Sequence, residues 1–229
     1  MSRFINLLAL TALPAALIFG CSTGGNAQEN ETIPPPKAKI RQSPESTPGS
    51  TELTDESEVA VIQTKLGSIV IRFYPHVAPN HVKNFKSLAE SKFFDGSTFH
   101  RVIPGFMIQG GDPNSKDDDL KNDGIGSGPR RLTAEFNQIR HTKGIVSAAR
   151  SQDPNSASSQ FFILVAPSYP SLDGQYTVFG KVAKGMDVVD KIVALPRDER
   201  DNPGKAALIK SVSIEKAGDV LELPLEEQQ

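Results

Sequence analysis

Several residue types that often carry enzyme chemistry are scarce in this sequence of 229 residues. It has one cysteine, Cys21, four histidines and no tryptophan. Cys21 follows an apolar run at the N-terminus, so the rest of the chain has no thiol that could act as a nucleophile. The histidines, His76, His81, His100 and His141, lack metal-ligand spacing such as His-Glu-x-x-His. We therefore expect neither a metal nor a cofactor.

Motifs for phosphate and dinucleotide binding are also missing. The sequence has no phosphate-binding loop, no dinucleotide fingerprint of glycines and no nucleophile elbow around its serines. A net charge of -2 gives no electrostatic reason to expect a nucleic acid partner. With 38% hydrophobic and 23% charged residues, the chain has the composition of one compact domain with tails.

One apolar run lies at the N-terminus, where Arg3 precedes an almost wholly apolar or small segment at 4–19. This run is short for a membrane span but long enough for a secretory signal. Ile18-Phe19-Gly20-Cys21 follows and is similar to a bacterial lipoprotein signal. We expect residues 1–20 to be a lipoprotein signal peptide and Cys21 to be lipidated. An uncleaved anchor, or an ordinary signal peptide with a chance cysteine, is the alternative.

Large apolar residues are scarce again at 24–57, where Pro, Ser, Thr, Gln and Glu dominate. Such a segment buries too little surface to fold by itself. We expect the lipidated cysteine and a disordered tether at 21–57, a domain at 58–217 and a C-terminal tail at 218–229. A recognition motif within the tether is the alternative. The expected location is the cell envelope, lipid-anchored, at the outer membrane facing the periplasm if the cell is Gram-negative.

The hydrophobic pattern after the tether predicts many short strands and two helices. Two apolar segments around Lys65-Leu66-Gly67 predict a hairpin. Pro79 and helically spaced apolar residues predict a helix at about 79–91. A second helix is predicted around 186–192. Further strands are predicted at 99–103, 106–110, 144–148, 161–165, 178–182 and 209–214. Many strands with few helices indicate a barrel or sandwich.

The polar, glycine-rich stretch at 114–131 is predicted to be a loop. Its acidic run, 117–119, supplies carboxylates of the kind that bind calcium in EF-hand loops. Counting from Asp119, Lys121 takes the third position and Arg130 the twelfth, where an EF-hand needs oxygen ligands. We therefore predict a solvated acidic loop, not a metal site.

The segment at 99–112 reads Phe-His-Arg-Val-Ile-Pro-Gly-Phe-Met-Ile-Gln-Gly-Gly-Asp. A turn at Pro104-Gly105 between two strands brings Arg101 back towards Met107 and Gln109, which share a face. The expected product is an apolar slot with two planar hydrogen-bonding groups at its rim. His100 should face the opposite side, as a hydrogen-bonded structural histidine.

Together with Ser-Ser-Gln-Phe-Phe-Ile at 158–163 and Leu-Asp-Gly-Gln-Tyr-Thr-Val-Phe-Gly-Lys-Val at 172–182, this segment resembles the cyclophilin family of peptidyl-prolyl cis-trans isomerases. The resemblance covers roughly 58–216. It implies a mainly β fold, a closed eight-stranded antiparallel barrel capped by two α-helices. It also implies acceleration of Xaa-Pro isomerisation and a monomeric protein.

The resemblance assigns Arg101 and Gln109 as catalytic, with Gln109 bonding the substrate carbonyl. Twisting an Xaa-Pro bond localises a lone pair on the proline nitrogen, so a donor aimed there lowers the barrier. The guanidinium of Arg101 is always charged and offers a rigid fork of donors. By resemblance the substrate-binding residues are Phe106, Met107, Ala149, Arg150, Gln160, Phe162, Leu172 and Tyr176.

Two functions from different classes remain open. The first is an isomerase that assists the folding of exported proteins, with proline-containing unfolded or flexible polypeptides as partners. The second is a membrane-tethered chaperone or scaffold that grips prolyl segments with little turnover. Retention of both Arg101 and Gln109 favours the enzyme, because gripping alone needs only the apolar slot. A purely structural envelope tether would leave the slot unexplained.

Overall fold

The computed structural model describes residues 53–221, and the expected signal peptide, Cys21 and most of the expected tether and tail lie outside this range. The described part contains eight strands: β1 (Glu58–Thr64), β2 (Ser68–Phe73), β3 (Arg101–Ile103), β4 (Met107–Gly110), β5 (Ile145–Ala148), β6 (Phe161–Leu164), β7 (Val178–Lys184) and β8 (Ile209–Lys216). It contains three α-helices: α1 (Pro79–Glu90), α2 (Met186–Val193) and α3 (Ala217–Val220). The predicted strands and both predicted helices are confirmed, and α3 was not predicted.

The β1–β2 hairpin shows how local sequence sets this architecture. Thr64 closes the turn, because its backbone N–H donates to Gly67 O at 2.9 Å. Gly67 has a φ of 133°, which a residue with a side chain rarely adopts. A Cβ there would also lie 2.8 Å from Val188 Cγ2 in α2. Glycine at the turn therefore permits both the hairpin and the close approach of α2.

The strands form one antiparallel sheet in the order β3-β4-β6-β5-β7-β2-β1-β8, which makes a half-barrel. The expected closed barrel is wrong, because the edge strands β3 and β8 do not pair. Irregular backbone bridges them: Phe99 N donates to Ala207 O at 3.0 Å, and Val102 N donates to Asp201 O at 2.8 Å. We call this line of contact the seam.

The main core lies between the sheet and the two longer helices. Phe85 of α1 is its centre, with four phenylalanine rings at centroid distances of 4.9 to 5.8 Å: Phe73, Phe94, Phe161 and Phe179. Edge-to-face and tilted pairs at such distances add to the stabilisation from burial alone. On α2, Val189 and Ile192 are fully buried in the same core.

The folded domain extends beyond the predicted limits of 58 and 217 at both ends. Leu53 packs with α3 against the outer face of β1, where Val59 and Val61 are buried. Ala217 N donates to Ser57 O at 2.8 Å, and Gly218 N donates to Asp55 O at 3.0 Å. Residues 53–57 are therefore not tether, because β1 is apolar on both faces and its outer face needs a cover.

The loop at 114–131 contains two short 3₁₀ turns and is fastened to the segment that precedes β8. Arg200 donates to Lys121 O at 3.3 Å, and Lys205 Nζ donates to Lys116 O at 2.7 Å. Asn202 Nδ2 donates to Asp123 Oδ2 at 2.7 Å. Although acidic and partly solvated as predicted, the loop is thus held at several points.

Residues 53–221 lack two features that would have suggested other functions. Within that range, no helix has the length and apolar character needed to cross a membrane. The same residues contain no group of three or more His, Cys, Asp or Glu side chains that could hold a metal ion.

Candidate active site

The β3–β4 hairpin places the two predicted catalytic residues side by side. Arg101 pairs directly with Gln109, and Ile103 pairs with Met107. Gly105 forms the turn with a φ of 72°, and Phe106 N donates to Ile103 O at 3.0 Å. Because directly opposed residues share a face, Arg101, Gln109 and Met107 face the same space, as predicted.

That space is a cleft of about 290 Å³, close to the lower end of the usual range for ligand pockets. Nine of the ten predicted catalytic and substrate-binding residues line it: Arg101, Phe106, Met107, Gln109, Ala149, Arg150, Phe162, Leu172 and Tyr176. The tenth, Gln160, borders a neighbouring cavity of about 390 Å³. Gln160 reaches the cleft through a hydrogen bond that its Oε1 accepts from Gln109 Nε2 at 2.8 Å.

The floor of the cleft is apolar and rigidly packed. Met107, Phe162 and Leu172 are buried and form one cluster with Leu164 of β6. Tyr176 forms one wall, with its ring edge-on to Phe162 at 5.6 Å. Arg150 lies over the Tyr176 ring at 4.6 Å and donates to Gln175 O at 3.0 Å. The cleft therefore has a preformed shape suited to a small apolar ring.

Polar groups along the rim form a chain of hydrogen bonds. Arg101 donates to Gln109 Oε1 at 3.4 Å, which is long for such a bond. Gln109 donates in turn to Gln160, whose Nε2 donates to Gly124 O at 3.0 Å and to Gly126 O at 2.8 Å. The exposed guanidinium of Arg101 is thus weakly held and free to donate to a ligand.

A buried histidine behind the cleft escaped the sequence reasoning. The His141 ring stacks on Phe162 with centroids 6.2 Å apart and an interplanar angle of 19°. Its Nδ1 lies 2.9 Å from Asp173 Oδ1, and its Nε2 lies 2.9 Å from Ser147 Oγ. Burial lowers the pKa of His141 despite the opposing effect of Asp173. His141 therefore fixes the wall that Phe162 presents to the cleft.

The row Asp173, His141 and Ser147 has the residue types of a hydrolase triad. Ser147 is fully buried, however, so no substrate carbonyl could approach its oxygen. The arrangement therefore supports packing of the cleft and gives no basis for acyl transfer.

Tyr169 was also missed by the sequence reasoning. Its ring lies 4.6 Å from that of Phe106 and is 37% exposed. It supports Phe106 from outside the cleft. The only sequence signal would have been an aromatic residue just before the third motif.

The prediction of a hydrogen-bonded His100 is wrong. Its ring is buried, and neither ring nitrogen has a partner in good hydrogen-bond geometry, although the Thr98 backbone lies close enough to favour the protonated ring. Burial lowers the pKa of His100, while the carboxylates of Asp112 and Asp123 oppose that shift. The strand directs the ring away from the cleft, as expected, but loop 114–131 closes over it without offering it a partner at hydrogen-bond distance.

Comparisons with known proteins agree with this geometry. The family model described as cyclophilin type peptidyl-prolyl cis-trans isomerase matches residues 59–214. A probable peptidyl-prolyl cis-trans isomerase of Brucella suis is 44% identical over 143 residues, which are 60% of this chain and 72% of that protein. The peptidyl-prolyl cis-trans isomerase ppi1 of Schizosaccharomyces pombe is 39% identical over 161 residues, covering 67% of this chain and 97% of that one.

Among solved structures, a cyclophilin-type isomerase of Cryptosporidium parvum superposes with a TM-score of 0.62 at 31% identity. The superposition covers 69% of this chain and 99% of that one, whose crystal structure was determined in the presence of the dipeptide Ala-Pro.

Proposed function

Because the chain belongs to the cyclophilin-type peptidyl-prolyl cis-trans isomerases, its activity is the isomerisation of Xaa-Pro bonds, and we propose that it serves the folding of exported proteins. The observation that carries the assignment of the site is the position of Arg101 beside Gln109 at the rim of an apolar cleft. We assign the catalytic step to this pair and substrate binding to the other cleft residues.

The proline ring of the substrate occupies the cleft against Met107, Phe162 and Leu172. Burial of its apolar surface stabilises binding without favouring either isomer. The preceding amide then lies at the rim, within reach of Arg101 and Gln109. The apolar floor holds the ring while the bond outside it rotates.

Rotation about the bond must overcome a barrier of about 18–20 kcal/mol, which comes from amide resonance. In the twisted state the proline nitrogen regains a lone pair and accepts a hydrogen bond that neither planar isomer accepts as well. The Arg101 guanidinium donates that bond and so stabilises the transition state selectively. Gln109 holds the substrate carbonyl and keeps the arginine nearby through its Oε1.

Arg101→Ala tests this assignment. Losing one preorganised transition-state donor commonly costs about 100- to 1,000-fold in turnover. We expect such a fall in isomerisation of a short Xaa-Pro peptide, with little change in thermal stability because the side chain is exposed. Arg101→Lys should restore only part of the rate, because lysine lacks the planar fork.

Arg140→Ala is the matched control, since it removes an exposed arginine that does not line the cleft. Its turnover should equal that of the parent. Unchanged turnover in a folded Arg101→Ala variant would overturn the assignment of catalysis to Arg101. Little turnover in the parent itself, with binding of prolyl peptides retained, would instead support the second function, a prolyl-peptide-binding chaperone or scaffold.

We also propose that the protein is lipid-anchored in the cell envelope through Cys21. Support comes from the sequence alone: the apolar run at 4–19 ends at Gly20-Cys21, and Cys21 is the only cysteine of the chain. A lipid anchor would keep a monomeric enzyme close to polypeptides that fold after export. Proline-containing unfolded or flexible segments are its proposed partners.

A further inference from the structure

A fully buried carboxylate, Asp112, lies two residues after the end of β4 and does not line the cleft. Its Oδ1 accepts the Asn114 backbone N–H at 2.8 Å, and its Oδ2 accepts the Gly124 backbone N–H. Burying a carboxylate is costly unless hydrogen bonds compensate. Asp112 thus joins the beginning of loop 114–131 to a point near its end.

The loop approaches Asp112 too closely for any side chain at position 126. A Cβ on Gly126 would overlap Asp112 Oδ1 and lie 2.9 Å from Asn114 Oδ1. The backbone at 124–126 is therefore pressed against the carboxylate. This contact sets where the carbonyl groups of Gly124 and Gly126 point.

Those two carbonyls determine the orientation of Gln160. Both accept from Gln160 Nε2, at 3.0 and 2.8 Å, so the NH₂ end of this amide must face the loop. Its oxygen is then directed towards Gln109, whose Nε2 donates to it at 2.8 Å. Gln109 in turn presents its own oxygen to Arg101. Each amide has one donor end and one acceptor end, so the orientation of the Gln160 amide fixes that of the Gln109 amide.

On the basis of the isomerase site assigned above, we propose that Asp112 is a positioning residue for that reaction. It acts through the 124–126 backbone, Gln160 and Gln109, and it keeps the Gln109 oxygen turned towards Arg101. Asparagine could cap the first turn but would present an NH₂ group to one of the two backbone donors. A carboxylate is required because both oxygens must accept.

The test is Asp112→Asn, which keeps size and shape. We expect turnover on a short Xaa-Pro peptide to fall by roughly tenfold, the effect of one disrupted hydrogen bond. The fall should lie mainly in kcat, with KM little changed, because the apolar cleft stays intact. Asp118→Asn removes the same charge from an exposed position of the same loop and should keep the parent's kinetics.

A double-mutant cycle separates positioning from general loosening of the fold. Gln160→Ala removes the amide that connects the 124–126 backbone to Gln109. In that background, Asp112→Asn should lower kcat by less than a further factor of about two. Full parental activity in Asp112→Asn, or effects of the two substitutions that simply multiply, would overturn the proposal. If Asp112→Asn does not fold, Gly126→Ala disturbs the same contact from the loop side and must lower kcat likewise.

The Arg101 variants keep the two proposals distinct. If Arg101→Ala is fully active, the site assignment itself fails. If Arg101→Ala is inactive while Asp112→Asn and Gly126→Ala are fully active, only the positioning role of Asp112 is refuted.

Discussion

Two buried histidines adjoin residues of the cleft: His100 precedes Arg101 in the chain, and His141 stacks on Phe162. Burial lowers the pKa of both rings below the ordinary histidine value of 6.5. The unfolded chain therefore binds protons more readily than the folded domain does. Stability from these groups is complete above pH 6.5 and is lost as pH falls through the lower, folded pKa values.

His100→Met tests this pH dependence, because the His100 ring makes no hydrogen bond of good geometry that the substitution would remove. The groups facing the ring are Asp112, Asp123 and Arg101. We expect the thermal midpoint of the parent to decrease when the pH is lowered from 7.5 to 5.5. The decrease should be smaller in the variant. Scanning calorimetry at both pH values measures it, and equal falls in the two proteins would contradict the argument.

At the same scale, the cleft residues could be predicted because they lie in short, continuous motifs. Arg101, Met107 and Gln109 share a face through strand alternation, which the sequence displays directly. His141 and Asp173 could not be paired in advance, because they are 32 residues apart and joined only by tertiary packing. His100 was misjudged for a related reason, since only the folded loop decides whether a buried ring finds a partner.

Among the elements, α1 begins without a local cap, since Ala78 offers no side-chain acceptor. Glu135, in a distant segment, supplies acceptors for the first turn. Its Oε1 accepts from Asn80 N at 3.1 Å, and its Oε2 accepts from His81 N at 3.0 Å. Burial would raise the pKa of Glu135, but hydrogen bonds from His81 and Asn80 together outweigh it and lower the pKa. The carboxylate thus takes the place of an N-cap residue.

Glu135→Ala should lower the free energy of unfolding by about 1–2 kcal/mol, as loss of an N-cap does. Glu90→Ala is the control, because Glu90 is an exposed acid at the other end of the helix. That substitution should stay within about 0.5 kcal/mol of the parent. Urea denaturation of the three proteins measures the difference, and similar midpoints for both variants would exclude a capping role.

The order of helices and strands could be predicted from hydrophobic periodicity, but the seam could not. Its residues pair through irregular backbone, with Asp201 at a φ of 64°. No alternating pattern marks such a segment. The expectation of a closed barrel came from family resemblance and is corrected by the strand pairing itself.

For the whole molecule, the proposed anchor and the folded domain are separate parts of the chain. Cys21 precedes the first described residue, Leu53, and the domain's core uses residues after it. Cys21→Ser should therefore move the protein out of the membrane fraction, or leave its precursor uncleaved, without changing the domain's thermal midpoint. Metabolic lipid labelling of parent and variant decides this, and equal labelling of both would exclude Cys21 as the acceptor.

The pairing of β1 with β8 has a consequence for the order in which the fold is completed. β1 lies between β2 and β8, with Glu58 opposite Lys216. One of the two strands that pair with β1 is therefore the last strand of the sheet in chain order. A chain emerging from the ribosome N-terminus first cannot finish its sheet until the final strand has been synthesised. Contacts between such distant residues also slow folding. Until β8 has been synthesised, the edge of β1 that faces away from β2 would thus stay unpaired in the nascent polypeptide.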